Sequence, residues 1–358
     1  MDDLVETLLQ GDVAEIEKLL NENPGIERSK VGGRNWELLL YVCFSENAKN
    51  PAATAKALLH RGADPNAFYV DERWSQCPLS CLYGATGLNN NPDLAQVLLE
   101  GGANPNDGES LYHSTEHSDL RCMKLLLSHG ADPNKANALK HLLDREDLEG
   151  LRILLEAKAD PNQKGLLGQT ALHWAVWRAR SAEAVRMLLD HGAAMDEKRN
   201  DGRTAYAMAV ITGQKEIANL LEQRGANTEL NEIDRFLAGR SSEAPRIGDW
   251  QAHEQIFVDL AMSHATSSIR ALLDAGAPIQ ARGQMGASAL HWACWKGYPD
   301  LAKLLLERGA SLTAEDEEYH GTPVGWFEHG MRNCGEGGDY KETARVLRAA
   351  GAVVPESA

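Results

Sequence analysis

Leu58-Leu59-His60-Arg61-Gly62-Ala63-Asp64-Pro65-Asn66 is the phrase on which the reading of this chain turns, because it recurs. Near copies run Leu98-Leu99-Glu100-Gly101-Gly102-Ala103-Asn104-Pro105-Asn106 and Leu126-Leu127-Ser128-His129-Gly130-Ala131-Asp132-Pro133-Asn134. Weaker copies end at Asn162, Asp196, Asn227, Gln280, Thr313 and Val354. Self-similarity at a short period marks a small supersecondary unit that cannot bury its apolar face alone, so neighbours must stack. The core then grows along one axis, and function is expected on a surface and not in a cleft.

Ser288 to Gly309 shows the grammar of one unit. A short helix is expected from about Ala289 to Trp295, ended by Gly297, since glycine tolerates the left-handed backbone of a helix stop. A second helix is expected over Pro299 to Glu307. Pro299 suits a first turn, where its missing N–H costs nothing, and Leu301, Leu304 and Leu305 form the inward stripe. A Ser or Thr before each first helix supplies an N-cap. The same sentence opens at Thr170 (Thr-Ala-Leu-His-Trp-Ala-Val-Trp), Thr204, Cys77 and Thr322.

These units resemble ankyrin repeats, whose consensus opens Thr-Pro-Leu-His and closes Leu-Leu-x-x-Gly-Ala-Asp. Gly192 to Gly225 and Gly276 to Gly309 each span 33 residues, the period of that family. The resemblance implies an all-α solenoid of about ten helix-turn-helix repeats with short β-hairpin fingers. The first pair is expected at Asp2 to Asn23 and a cap at the last, with Pro355 to Ala358 fraying. From Glu232 onward, the Asp234-Arg235-Phe236 helix and the phrase Gly321-Thr322-Pro323-Val324-Gly325-Trp326 resemble stand-alone bacterial ankyrin proteins. Three regions are expected: an array over 1–228, an irregular break over 229–253, and further repeats with a cap over 254–354.

Departures from the period carry information too. Gly102 to Gly130 and Gly130 to Lys158 are 28 residues each, so the fingers there are short. Lys158 stands where a closing Gly belongs, at roughly 1–2 kcal/mol if the left-handed conformation is kept. Extra residues separate the helices at Ser45 to Pro51, Gly87 to Pro92 and Met331 to Tyr340. Gly225 to Gly276 is the largest break, at 51 residues.

Composition is that of a soluble protein, with a formal charge of −16. That charge disfavours nucleic acid and anionic membrane as partners, since both call for a basic footprint. The acidic start Met1-Asp2-Asp3 is not expected to be a secretory leader. The six scattered cysteines suggest free thiols in a reducing cytoplasm. The sequence holds no phosphate loop, Gly-x-Ser-x-Gly elbow or dinucleotide fingerprint, so neither catalysis nor a cofactor is expected.

In the ankyrin family partners meet the concave face, built from finger tips and the ends of the first helices. The resemblance places there, as exposed pairs, Trp177 and Arg178, Ile211 and Thr212, Trp295 and Lys296, Glu116 and His117, Asp144 and Arg145, and Met262 and Ser263. Trp and Arg dominate interface hot spots, so Trp177 and Trp295 beside cations are the leading candidates, while Trp174 and Trp292 read as core. His173 and His291 hold the position of a loop-bracing histidine. His113 and His117, spaced i, i+4 with Cys122 nearby, raise the question of a metal, but without the Glu of the metalloprotease motif none is assigned. Cys77 and Cys81 read as one first helix with Cys77 at the cap. The run Glu315-Asp316-Glu317-Glu318 reads as a solvated hairpin tip.

The resulting expectation is a monomeric, non-catalytic interaction scaffold that binds another protein. Two alternatives stay open: a toxin-neutralising or exported effector, and an enzyme or small-ligand protein using a pocket near 229–253 built from Asp234, Arg235 and His253.

Overall fold

The structure, a computed structural model, describes residues 2–71, 77–243, 245, 250, 253–333 and 337–354. It comprises two compact units, 1–160 and 161–358. The segment 229–253 lies inside the second unit, part of it outside the described residues, as are Cys334 and Pro355 to Ala358.

The first unit is a run of helix pairs: α1 (Asp2–Gln10) with α2 (Val13–Glu22), α3 (Leu38–Cys43) with α4 (Pro51–His60), α5 (Cys81–Tyr83, continued by a π turn over Gly84–Leu88) with α6 (Pro92–Glu100), α7 (Ser110–Ser114) with α8 (Arg121–Ser128), and α9 (Ala138–Arg145) with α10 (Leu148–Glu156). First helices stack on first helices, α1 through α9, and second on second, α2 through α8. The second unit repeats the scheme: α11 (Ala171–Trp177) with α12 (Ala182–Asp190), α13 (Ala205–Ile211) with α14 (Lys215–Gln223), then, among the described residues, α15 (Glu232–Leu237), α16 (Gln255–Met262) with α17 (Thr266–Asp274), α18 (Ala289–Lys296) with α19 (Pro299–Glu307), and α20 (Pro323–Asn333) with α21 (Tyr340–Ala349).

The recurring phrase explains itself atom by atom. Its leucines are the core: Leu58, Leu98, Leu126 and Leu154 are fully buried. Its Gly-Ala is a helix stop, with Ala63 N donating to Leu58 O and Gly62 N to Leu59 O, the paired bonds of a Schellman motif. Gly62 has φ +95°, and Lys158 adopts the same left-handed backbone, at φ +71°. Its Asp accepts from the Asn two residues on, Asn66 N to Asp64 Oδ1 at 2.9 Å. Its Asn then reaches the next repeat: Asn66 Nδ2 donates to Gly102 O at 3.2 Å, while its Oδ1 accepts from Asn104 N at 2.8 Å. Asn106 and Asn162 make the same double clasp, on Gly130 and Asp132 and on Gly192 and Ala194.

The fingers differ from the expectation. Among the described residues one two-stranded ladder forms, β1 (Phe68–Val70) antiparallel to β2 (Pro78–Ser80), with Tyr69 opposite Leu79. Val31 and Trp36 form an isolated antiparallel bridge of two bonds, and four other fingers narrow to a tight loop closed by one backbone bond, at Gly165–Gln169, Arg199–Arg203, Gly283–Ala287 and Asp316–Gly321. The ladder corrects the register at Cys77 as well. Ser80, not Cys77, caps α5, accepting from Tyr83 N at 2.9 Å, and Cys77 is exposed.

Candidate functional site

In the second unit, α11 and α18 carry the same string, Leu-His-Trp-Ala-x-Trp. Each starts with a capping box in which the third helical residue is a histidine. Thr170 N donates to His173 Nδ1 at 3.2 Å, and His173 Nε2 meets Arg203 O at 3.2 Å. Ser288 N donates to His291 Nδ1 at 3.1 Å, and His291 Nε2 faces Ala314 O and Gly321 O. Each imidazole thus ties its own helix start to the following finger. Burial, with Arg199 next in effect, pulls His173 down to about 4, so it is neutral at pH 7.

These anchors set the tryptophans that follow. Trp174 and Trp177 lie 4.9 Å apart by ring centroids, and Trp292 and Trp295 5.1 Å. Trp177 meets Trp292 edge-on at 5.5 Å, and Trp326 of α20 meets Trp292 at 5.0 Å and Trp295 at 5.8 Å. Such edge-to-face pairs are the favoured arrangement of aromatic quadrupoles. Arg178 Cζ stands 4.6 Å over Trp177 and 5.4 Å over Trp174, and Lys296 Nζ 5.5 Å over Trp295. Gly330 makes the approach of α20 possible: a Cβ there would meet Trp295 O at 2.0 Å.

Exposure divides the expected contact residues. Trp177 is 5% exposed and Ile211 3%, so neither presents a surface, and Met262 is buried too. The expectation that they are exposed pair members is corrected. Helix α11 runs through Trp177, and the turn begins only at Arg178, which leaves Trp177 facing Trp292. Trp295, Lys296, Arg178 and Trp174 are half-buried, and Trp174 is thus more open than a core reading allows.

In the first unit, α7 ends at Ser114, so His113 and His117 do not share a helical face. His113 sits between Glu109 (3.2 Å) and Glu116 (3.1 Å), while His117 Nε2 contacts Gly87 O at 2.7 Å. Cys122 is buried in α8, its thiol pushed up to about 12 by burial. Among the described residues no group of three or more His, Cys, Asp or Glu is placed to hold a metal. Glu116 and Arg145 are exposed as expected, and Arg145 Nη2 donates to Glu116 O at 3.0 Å.

A cluster that the sequence reading missed spans the irregular segment. Arg199 pairs with Asp201 and Asp259, and Arg203 with Asp201 and Asp234, at 2.5 to 3.0 Å, all with side chains 7% exposed or less. Burial raises Asp201, but Arg199 and Arg203 outweigh it and hold it at about 2. For Asp234 burial wins over Arg203, and its carboxyl is raised. Asp259, a lone charge inside Ile256-Phe257-Val258-Asp259-Leu260-Ala261, was the available signal. Asp234 is thus bound into this network, while Arg235 is exposed and donates Nη1 to Leu230 O. The cleft near this network holds about 10 Å³, room for a single water, and is lined by Gln169, Trp174, Trp177, Gln255 and Gln284, not by Asp234, Arg235 or His253. Asp316 is likewise no solvated tip residue. It is 2% exposed and accepts from Glu318, Tyr319 and Gly321 N–H groups and from Trp326 Nε1. Among the described residues no helix is long and apolar enough to cross a membrane.

Comparison with known proteins bears on this architecture. The family model for ankyrin repeats (3 copies) matches residues 82–165, 138–232 and 253–316, more than half of the chain. The B-cell lymphoma 3 protein homolog of Mus musculus is 33% identical over 147 residues, 40% of this chain and 29% of that protein. Protein phosphatase 1 regulatory subunit 27 of Mus musculus is 30% identical over 93 residues, 25% of this chain and 57% of that protein. The chain thus spans less than two thirds of either relative. The human ASB11 ankyrin repeat domain superposes with a TM-score of 0.47 at 21% identity, covering 63% of this chain and 98% of that one.

Proposed function

The chain belongs to the ankyrin-repeat family, and we propose that it is a non-catalytic module that binds another protein on the face made by finger tips and first-helix ends. Repeats of this family generally mediate protein–protein contacts, and one relative is named as a regulatory subunit of protein phosphatase 1. The observation that carries the reading is the cation-topped tryptophan group of the second unit: Trp174 with Arg178, and Trp295 with Lys296. These rings are half-buried, already held by Trp177, Trp292 and Trp326, and so lose little conformational entropy on binding. A tryptophan offers about 150–250 Å² of surface to a contact, and such anchors carry most of the energy of an interface. Glu116, His117 and Arg145 extend the reading to the first unit. A reducing cytoplasmic setting suits the exposed Cys77 thiol and the buried thiols of Cys43, Cys81, Cys122 and Cys294.

The test is capture of partners from native lysate by the chain and by a Trp295→Ala, Lys296→Ala, Arg178→Ala variant. At least tenfold weaker capture is expected from a variant that still folds, with a smaller fall in melting temperature than Trp177→Ala causes. Undiminished capture by a folded variant removes this face from the function.

A further inference from the structure

The first unit carries a second feature, a continuous row of rings along its first helices and β1. Trp36 lies 4.3 Å from Tyr69, Tyr69 4.9 Å from Phe44, and Phe44 5.9 Å from Tyr83. Tyr83 then meets His113 at 5.0 Å, His113 meets Tyr112 at 5.0 Å, and Tyr112 stacks on His141 at 4.3 Å. All seven are half-buried, so the row has one side in the core and one in solvent. Gly87 keeps the middle of the row close-packed, since a Cβ there would stand 2.6 Å from His113 Cβ and 2.8 Å from the Tyr83 ring.

Two observations identify what lies along it. Carboxylates border the row: Glu109 and Glu116 grip His113 on either side, and Glu37 stands beside Trp36 in sequence. Burial is the main reason the phenols of Tyr83 and Tyr112 are raised, and Glu116 is the next cause at both, with Glu109 contributing less, which puts carboxylates close to these rings. A cation already uses one ring, with Arg34 Cζ 4.7 Å over Trp36. At the far end Arg145 faces the row but spends a guanidinium N–H on Glu116 O, and burial lowers Lys140.

We propose that this row seats an extended, arginine- or lysine-bearing segment of a partner protein, its cations lying over the ring faces and pairing with Glu109 and Glu116. Cations over Trp and Tyr faces are attracted by the ring quadrupole, and more strongly where water is excluded. At about 3.4 Å per extended residue the row accommodates a segment of at most about nine residues. The inference rests on the reading of the chain as a protein-binding module but draws on different residues from those of the second unit.

A fluorescent nine-residue peptide alternating Arg and Gly is titrated with the full chain by anisotropy at physiological salt, beside Glu-Gly and Ser-Gly counterparts. The Arg peptide binds and the other two do not. Tyr83→Leu with Tyr112→Leu weakens it about tenfold, and Glu116→Lys does so to a similar degree. Glu342→Lys makes the same charge change in the second unit, at an exposed pair with Arg345, and leaves binding within twofold. Equal binding of the Glu-Gly peptide, or equal loss from Glu342→Lys and Glu116→Lys, overturns the proposal in favour of bulk attraction to a chain of charge −16. If the double tyrosine variant unfolds, the exposed Glu116 position still decides. Trp295→Ala with Lys296→Ala leaves peptide binding unchanged. Absent peptide binding alongside Trp295-dependent partner capture rejects this inference and leaves the proposed function standing.

Discussion

Arg199 Nη2 lies 2.6 Å from Asp259 Oδ2, with the two side chains 4% and 0% exposed. The pair joins a finger loop to a helix 60 residues further on. Through Arg203 and Asp234 the same cluster holds α15. It therefore bridges the place where the repeat period fails, using charge where the family would use stacked leucines. A buried pair gains little over an apolar replacement, yet loss of one partner strands a charge.

Asp259→Ala is accordingly expected to cost about 3–5 kcal/mol, read as a fall in the urea midpoint. Asp259→Asn, which keeps an acceptor for Arg199, costs less. A midpoint shift under the error of the method in Asp259→Ala shows that water relieves Arg199.

Stability is expected to fall with acid from pH 6.5 downward. Above that, His173 is neutral folded or unfolded. Between 6.5 and about 4 the unfolded chain takes a proton that the folded chain refuses, because burial first, and then the Arg199 charge, disfavour the imidazolium. The loss approaches about 3 kcal/mol below pH 4. Burial lowers His291 and His141 too, so they act in the same sense. Asp201, held at about 2, adds a loss from 3.8 down to 2, while the raised Asp234 partly opposes it. Urea midpoints at pH 7, 5.5 and 4.5 measure the slope, which should be shallower in His173→Gln. An equal slope assigns the acid lability elsewhere.

Trp177 and Trp295 should separate cleanly. Trp177→Ala opens a cavity against Trp174 and Trp292 and is expected to cost about 3–5 kcal/mol. Trp295→Ala, with one side in solvent, costs less stability and more binding. Thermal melts read beside capture yields check this; the reverse order contradicts the exposure of the two rings.

Lys158→Gly should stabilise by about 1 kcal/mol, since glycine meets φ +71° without a Cβ penalty, part of the gain being lost to the freer unfolded chain. A lower melting temperature would mean that the lysine stem contributes packing that outweighs its backbone strain.

The repeating phrase made the helix pairs legible. Pro299–Glu307 came out as expected, and the first helix near it ended one residue later, at Lys296. Leucine spacing, prolines and glycines act locally, so they read directly from the chain. What the sequence hid was non-local. The burial of Trp177 depends on Trp292, which no spacing rule connects to it. The Arg199 cluster gathers residues from one finger and two helices, and the sequence around each looks like ordinary surface save for Asp259. Conversely, His113 and His117 suggested a shared face only because α7 was expected to be longer than Ser110–Ser114.

The side-chain amides of Asn66, Asn106 and Asn162 each bind the following repeat. Tension applied along either unit therefore loads these clasps one after another instead of all together. Pulled by its ends, such a chain yields in a sawtooth of modest ruptures whose spacing follows the unequal repeat lengths, and re-zips when slackened, in the manner of a spring with replaceable links.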